Sequence, residues 1–167
     1  MRNCRIVSIQ VAMRRLEGKR GKLKMLIVVN DPMQKGYRYE LSAQTGRNFD
    51  PGFKPELTPK QMLELGVFCG KYMTDTQAEF PESWFELAKL SLHDRDCSLN
   101  YFGVDASQPL SVWQNNGWLH SDDPRGWFQW YCRYYMGRRM PEEESSVPLY
   151  LLRIGRRRHF DGPMAAK

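Results

Sequence analysis

Between Trp127 and Met136 the chain reads WFQWYCRYYM, a stretch in which only Gln129 and Arg133 break a run of aromatic and apolar side chains. Two tryptophans, three tyrosines and a phenylalanine lie there, with Asp123-Pro124-Arg125-Gly126 before them and Gly137-Arg138-Arg139 after them. The spacing predicts a helix that opens at Asp123-Pro124 and closes at Gly137, the residue favoured just past a helix end. A helix apolar nearly all round must either be buried or present its rings to a ligand. On it Arg125, Gln129 and Arg133 recur every four residues, which aligns them as one polar stripe. Burying such a stripe without counter-charges costs on the order of several kcal/mol. Two outcomes are therefore open. Carboxylates from elsewhere in the chain meet the stripe, giving a core helix, or the stripe lines a cleft for an anion. In the second case Trp127 and Trp130 supply stacking faces, and Arg138 and Arg139 extend a phosphate-binding surface. Arg138 and Arg139 also complement the helix dipole, a sufficient structural reason for them.

Charge is unevenly placed. The formal net charge is +6. Residues 1–24 hold eight basic residues against Glu17 alone, a charge of +7, and residues 153–167 hold five against Asp161, a charge of +4. The segment between them, with twelve basic and seventeen acidic residues, carries −5. Basic ends on an acidic body fit arms that grip a polyanion, nucleic acid or an anionic membrane surface. They equally fit a solvated sheet edge guarded against aggregation. An apolar share of 41% and a charged share of 26% are those of an ordinary globular chain. No window approaches the ~18 uninterrupted apolar residues of a membrane span. Residues 1–15 lack the long apolar stretch of a secretory signal, so an intracellular and most simply cytoplasmic location is expected, with organellar import as the alternative.

The expected architecture is α+β: a small N-terminal antiparallel sheet followed by three to four helices packed around the central aromatic helix. One domain spans 1–167, with a basic β-meander over 1–45, a helical body over 55–140 and a basic C-terminal tail over 141–167. Residues 4–13 (CRIVSIQVAM) and 23–29 (LKMLIVV) read as strands joined through EGKRG, and residues 37–41 (YRYEL) as a third. Residues 46–53 read as an irregular connection. Thr58-Pro59-Lys60-Gln61 has the form of a capping box, opening a helix expected to stop at Gly70. Further helices are expected from Pro81 to about Leu90 and from Pro109 to Asn116.

Candidate chemistry gathers in two loops, His93-Asp94-Arg95-Asp96 and His120-Ser121-Asp122-Asp123. His93, His120 and Asp122 are the candidate acid–base residues, on the reading that the clusters meet. The alternative is structural: Asp122 or Asp123 caps the next helix, and His93 ends the preceding one. Cys4, Cys69, Cys97 and Cys132 form no CxxC pair, so free, mostly buried thiols are expected, with no metal site and no cofactor assigned. The phosphate-loop, dinucleotide, zinc-protease and serine-hydrolase signatures are all absent from the sequence.

Residues 51–73 (PGFKPELTPKQMLELGVFCGKYM), 103–113 (GVDASQPLSVW) and 117–139 (GWLHSDDPRGWFQWYCRYYMGRR) resemble an uncharacterised family of bacterial and fungal proteins. The resemblance covers about half the chain and implies relatedness without an activity. Similar proteins tend to carry glycine where this chain has Cys69. They also continue differently after the GRR, so the C-terminal arm is expected to be truncated or replaced. The leading expectation is a nucleic-acid-binding protein, for DNA or RNA, with basic arms on the backbone. Its inner contact surface would be Arg125, Trp127, Gln129, Trp130, Arg133, Arg138 and Arg139. The alternatives are a small enzyme for a nucleobase or small anion, using His93 or His120, and a subunit docking onto protein partners of a larger assembly.

Overall fold

The computed structural model describes residues 14–17, 23–105 and 108–140. The strand expected over 4–13 and the basic tail over 141–167 lie outside the described residues, as does most of the EGKRG loop. The α+β architecture is as expected. Three strands, β1 (Arg14–Glu17), β2 (Leu23–Asp31) and β3 (Gln34–Leu41), form an antiparallel sheet in that order. Three helices follow: α1 (Pro59–Glu64), α2 (Leu110–Asn115) and α3 (Trp127–Met136). Short 3-10 turns lie at Gln77–Glu79, Glu82–Trp84 and Cys97–Leu99.

Local chemistry accounts for the sheet. The aliphatic run of β2 suits a pleated, half-buried surface. Asp31 ends it by accepting the Met33 N–H on its carboxylate at 2.7 Å, a side-chain turn that reverses the chain into β3. Pairing of Ile27 with Tyr39 sets the register, and an irregularity between Val28 and Asn30 shifts it toward the turn. One face buries Ile27, Val29 and Tyr39, with Tyr37 and Leu41 packed against them. The alternate residues Arg38 and Glu40 of β3 are exposed.

The capping box at α1 is present as read: Thr58 Oγ1 accepts the Gln61 N–H, and Gln61 Oε1 accepts the Thr58 N–H. The helix ends six residues earlier than Gly70 would have ended it. Gly66 takes φ 63°, and the Leu99 carbonyl passes where a side chain would stand, so both backbone angle and space call for glycine. The helix expected from Pro81 reduces to the turn Glu82–Trp84. There, tertiary hydrogen bonding overrides local spacing. The Lys89 and Ser91 N–H groups donate to the carbonyls of Leu63 and Gly70, not to the fourth residue back.

α3 is the centre of the main core. Phe128 is fully buried, and Trp130, Tyr131 and Tyr134 nearly so, against Met62, Leu63, Val67, Phe68 and Trp84. Trp130 and Tyr134 stack with ring centroids 4.9 Å apart, and Phe53 meets both edge-on. Cys132 is a buried free thiol, as expected. Cys69 and Cys97 are not: a disulfide joins them. Spacing along the chain gave no hint of the pair, which the fold assembles by setting the Asp96 N–H on the Cys69 carbonyl at 2.9 Å. Cys69 also holds φ 55°, a conformation that costs a non-glycine residue roughly 1–2 kcal/mol.

Gly137 ends α3 in the left-handed region at φ 117°, and its carbonyl accepts both the Ser42 and Ala43 N–H groups, docking the helix end onto the chain leaving β3. An ideal Cβ at Gly137 stands 2.1 Å from the Ala43 carbonyl oxygen. Backbone strain and this clash together predict that Gly137→Ala destabilises the protein by roughly 2–4 kcal/mol, read as a lowered urea midpoint at unchanged slope. An unchanged midpoint would mean that the helix end is not seated on the sheet.

Candidate functional site

The helix opens at Trp127 and not at Asp123-Pro124, so Arg125 precedes it, yet Arg125, Gln129 and Arg133 still form one stripe that faces the sheet. Between the main core and the small sheet core, Arg125, Gln129 and Arg133 meet residues from four separate segments, and Arg138 joins them from just beyond the helix end. Asp31 comes from the end of β2, Glu79 from the turn Gln77–Glu79, Asp75 from the loop before it, and Asp123 from the loop leading into α3.

Arg125 donates Nε to Asp31 Oδ2 at 2.7 Å and Nη2 to Asp31 Oδ1 at 2.9 Å, a bidentate pair, and also reaches the exposed Asp75 at 2.9 Å. Arg133 is wholly buried and donates Nε and Nη2 to the two carboxylate oxygens of Glu79, at 2.6 and 3.0 Å. Its Nη1 turns to Asp123 Oδ1 at 3.1 Å. Arg138, only 1% exposed, forks onto the same Asp123 at 2.9 and 2.6 Å. Gln129 bridges: its Oε1 accepts the Arg125 N–H, and its Nε2 donates to Asp31 at 3.4 Å. Tyr39 closes the seam by donating its hydroxyl to Glu79 at 3.0 Å, beneath the guanidinium of Arg133 at 5.4 Å from the ring centre.

Three guanidinium groups thus face three buried carboxylates, those of Asp31, Glu79 and Asp123, and the seam is neutral before the rim residue Asp75 is counted. The acidities follow. Burial works to raise the Asp31 carboxyl, but hydrogen bonds from Arg125 and the Met33 N–H, with the charges of Arg125 and Arg133, outweigh it and hold the group below the usual carboxylate range. Burial and the adjacent Glu79 charge push the Tyr39 hydroxyl well up, so Tyr39 stays a donor. Burial likewise pushes up the Cys132 thiol, which removes it as a nucleophile.

Of the two outcomes open for the stripe, the chain takes internal pairing. The inner contact surface expected from Arg125, Gln129, Arg133 and Arg138 is corrected accordingly: Gln129, Arg133 and Arg138 are interior, Arg125 is half-buried at the rim, and all are matched within the chain. Trp130 is buried in the core, and Trp127 is half-buried against Phe68 and Phe128. Arg139 lies over the Tyr134 ring at 3.8 Å and donates to the carbonyls of Tyr134, Arg47 and Asn48, fastening the helix end to the loop after β3. The cation that complements a helix C-terminus is the reading that fits it.

Of the acid–base candidates, His120 and Asp122 are neighbours, and His93 makes its contact elsewhere. His93 is exposed, and its carbonyl accepts Lys71 Nζ at 2.6 Å. His120 is exposed with Nδ1 3.7 Å from Asp122, beside the seam but on its outer side. Neither aspartate caps α3: Gly126 occupies the cap, and Asp123 turns inward to the arginines. Nor does His93 end a helix. The residues missed in the sequence are Asp31, Glu79 and Asp75. The need for carboxylates was readable from the stripe, but nothing marked which of nineteen acidic residues would supply them.

Among the described residues, Cys69, Cys97 and Asp105 bring metal-ligand atom types within 4.8 Å of one another. Arg95 stands at that spot, ion-paired to Asp105 and with Nη2 3.8 Å from Cys69 Sγ. A guanidinium there opposes a divalent cation electrostatically. Among the described residues no helix is long and apolar enough to cross a membrane. Comparison with protein-family models, curated proteins and solved structures finds no match.

Asp123 is the shared counter-charge of two buried arginines, so Asp123→Asn is expected to destabilise by roughly 3–5 kcal/mol in chemical denaturation. Asp75→Asn, at the exposed rim, is expected to cost less than about 1 kcal/mol. Equal effects would show that the seam is not desolvated. The depressed Asp31 carboxyl adds a pH dependence. Its stabilisation is present above the unfolded-state pKa of about 3.9 and is lost as pH falls through the lower folded value. Stability should therefore drop as pH falls below about 4, with a shallower slope in Asp31→Asn; parallel slopes would remove Asp31 from the acid response.

Proposed function

We propose that this protein binds nucleic acid through its basic flanking segments, with the folded body as the scaffold that carries them. The observation behind this reading is the charge partition: +7 over residues 1–24 and +4 over residues 153–167, against −5 between them. The neutral seam strengthens the contrast, since the buried arginines of the body are matched by its own carboxylates. Sequence-independent attraction to phosphate needs only mobile counterions to displace and cations to replace them. The reading therefore relies on the flanks and not on the rings of α3. A second reading, a subunit of a larger assembly, draws on apolar side chains held in solvent: Leu87 is 71% exposed, Leu92 84% and Tyr101 70%.

Fluorescence anisotropy with labelled single- and double-stranded oligonucleotides tests the proposal. Affinity is expected to fall steeply with salt, with a log–log slope near 0.9 per phosphate contacted on duplex and 0.7 on single strands, as an approximate rule (~). Replacing Arg156, Arg157 and Arg158 by Gln should flatten the slope by up to about 2–3 on duplex. A flat salt response in the parent chain removes the proposal. If that result came with a stable complex of defined stoichiometry in sedimentation, the assembly reading would stand in its place.

A further inference from the structure

The disulfide Cys69–Cys97 does more than close a loop, because of what surrounds it and what the loop carries. Cys69 is wholly buried and Cys97 half-buried, so Cys97 is the more open of the two to an incoming thiol. The Arg95 guanidinium sits 3.8 Å from Cys69 Sγ. The segment closed by the bond, with its ends 28 residues apart, holds Asp75 and Glu79, the counter-charges of Arg125 and Arg133. It also holds Phe80 and Trp84, which stack on each other and belong to the main core.

We propose that Cys69–Cys97 is a reversible thiol–disulfide site that takes a dithiol reductant and sets how firmly the Asp75–Glu79 segment is held on the arginine seam. The inference is independent of nucleic-acid binding. The thiolate of the dithiol attacks Cys97 Sγ, forming a mixed disulfide. The Cys69–Cys97 bond breaks, and its electron pair leaves on Cys69 Sγ as a thiolate facing Arg95. The second thiol of the reductant, deprotonated to thiolate, then attacks its own sulfur in the mixed disulfide and releases Cys97 as a thiolate, which takes up a proton. The reductant departs as its cyclic disulfide, two electrons poorer. Arg95 acts on the leaving sulfur, since a cation lowers thiol pKa and a less basic thiolate leaves faster. The same cation favours this chemistry over metal capture by Cys69, Cys97 and Asp105.

The full chain is alkylated under native conditions before and after treatment with dithiothreitol, and read by peptide mass spectrometry. Cys69 and Cys97 should be unmodified before reduction, and Cys97 should label first after it. Reoxidation by the oxidised reductant should restore the bond. Reduction should lower the thermal midpoint by roughly 7–14 °C and speed amide hydrogen exchange over residues 74–90 more than in β2. Arg95→Gln keeps both cysteines and should slow reduction about three- to tenfold. Free thiols at both positions before reduction overturn the proposal. So does a bond that resists dithiothreitol until the protein is unfolded, which would mark a static clasp. Stoichiometric zinc on the reduced chain, with both thiols protected from alkylation, also overturns it and assigns a metal site instead. An unchanged rate in Arg95→Gln removes the activated leaving group on which the mechanism rests.

Discussion

The fold rests on the requirement that a guanidinium group removed from water be given carboxylates and hydrogen-bond acceptors in return. Arg133 is the strictest case. It is wholly buried, and its donors reach Glu79, Asp123 and the Asp122 carbonyl, which come from two different loops. Each partner constrains a segment that has little regular structure of its own. The long irregular stretch after α1 is positioned at Glu79, and the approach to α3 is positioned at Asp123. The sheet is tied in through Asp31, Tyr37 and Tyr39, whose rings lie under the Arg133 guanidinium at 5.1 and 5.4 Å. Such a network adds little net stability over an apolar seam of equal shape, but it penalises any arrangement that leaves one charge unmatched. Its contribution is therefore to uniqueness of packing: the hydrophobic core supplies attraction, and the seam favours the register that gives all three arginines a carboxylate partner.

That division explains why the two apolar clusters are separate. The sheet buries only Ile27, Val29 and Tyr39, with Tyr37 and Leu41 beside them, too small a group to hold three strands alone. The main cluster collects on the opposite sides of α3, where Phe128, Trp130, Tyr131 and Tyr134 point. An α-helix that is apolar around most of its circumference can serve two layers at once. Here it does so with aromatic faces toward the helical body and a charged column toward the sheet. The left-handed turn at Gly137 and the hydrogen bonds from Ser42 and Ala43 fix the distance between layers at one end. Gln34, donating to the carbonyls of Ser121 and Asp122, does so at the other.

Legibility followed the range of the interactions. The box at Thr58 and Gln61 and the closure of α3 at Gly137 depend on neighbours within a few residues, and both were readable. The stripe was readable as a demand for anions, since period four is local. The answer to that demand was not, because Asp31 and Glu79 are 94 and 54 residues from their arginines along the chain. The helix expected after Pro81 failed for the same reason: its backbone donors are taken by Leu63 and Gly70, contacts that no local pattern encodes. The pairing of Cys69 with Cys97 is the same kind of fact, a consequence of chain path and not of spacing. Fold class survived these misses because it depends on which segments are apolar and with what period, whereas a site depends on individual long-range partners.

Internal matching of the arginines also bears on how the ends of the chain can act. Buried cations that are already neutralised add no positive field to that of the flanking segments, and the −5 balance of residues 25–152 opposes a polyanion at short range. Attraction then has to come from residues far enough from that acidic surface to be screened from it, a separation of about 8–10 Å in ordinary salt. The physical arrangement therefore separates two tasks that the sequence had seemed to combine in the aromatic helix: α3 organises the interior, and the proposed contact with phosphate draws on residues outside it.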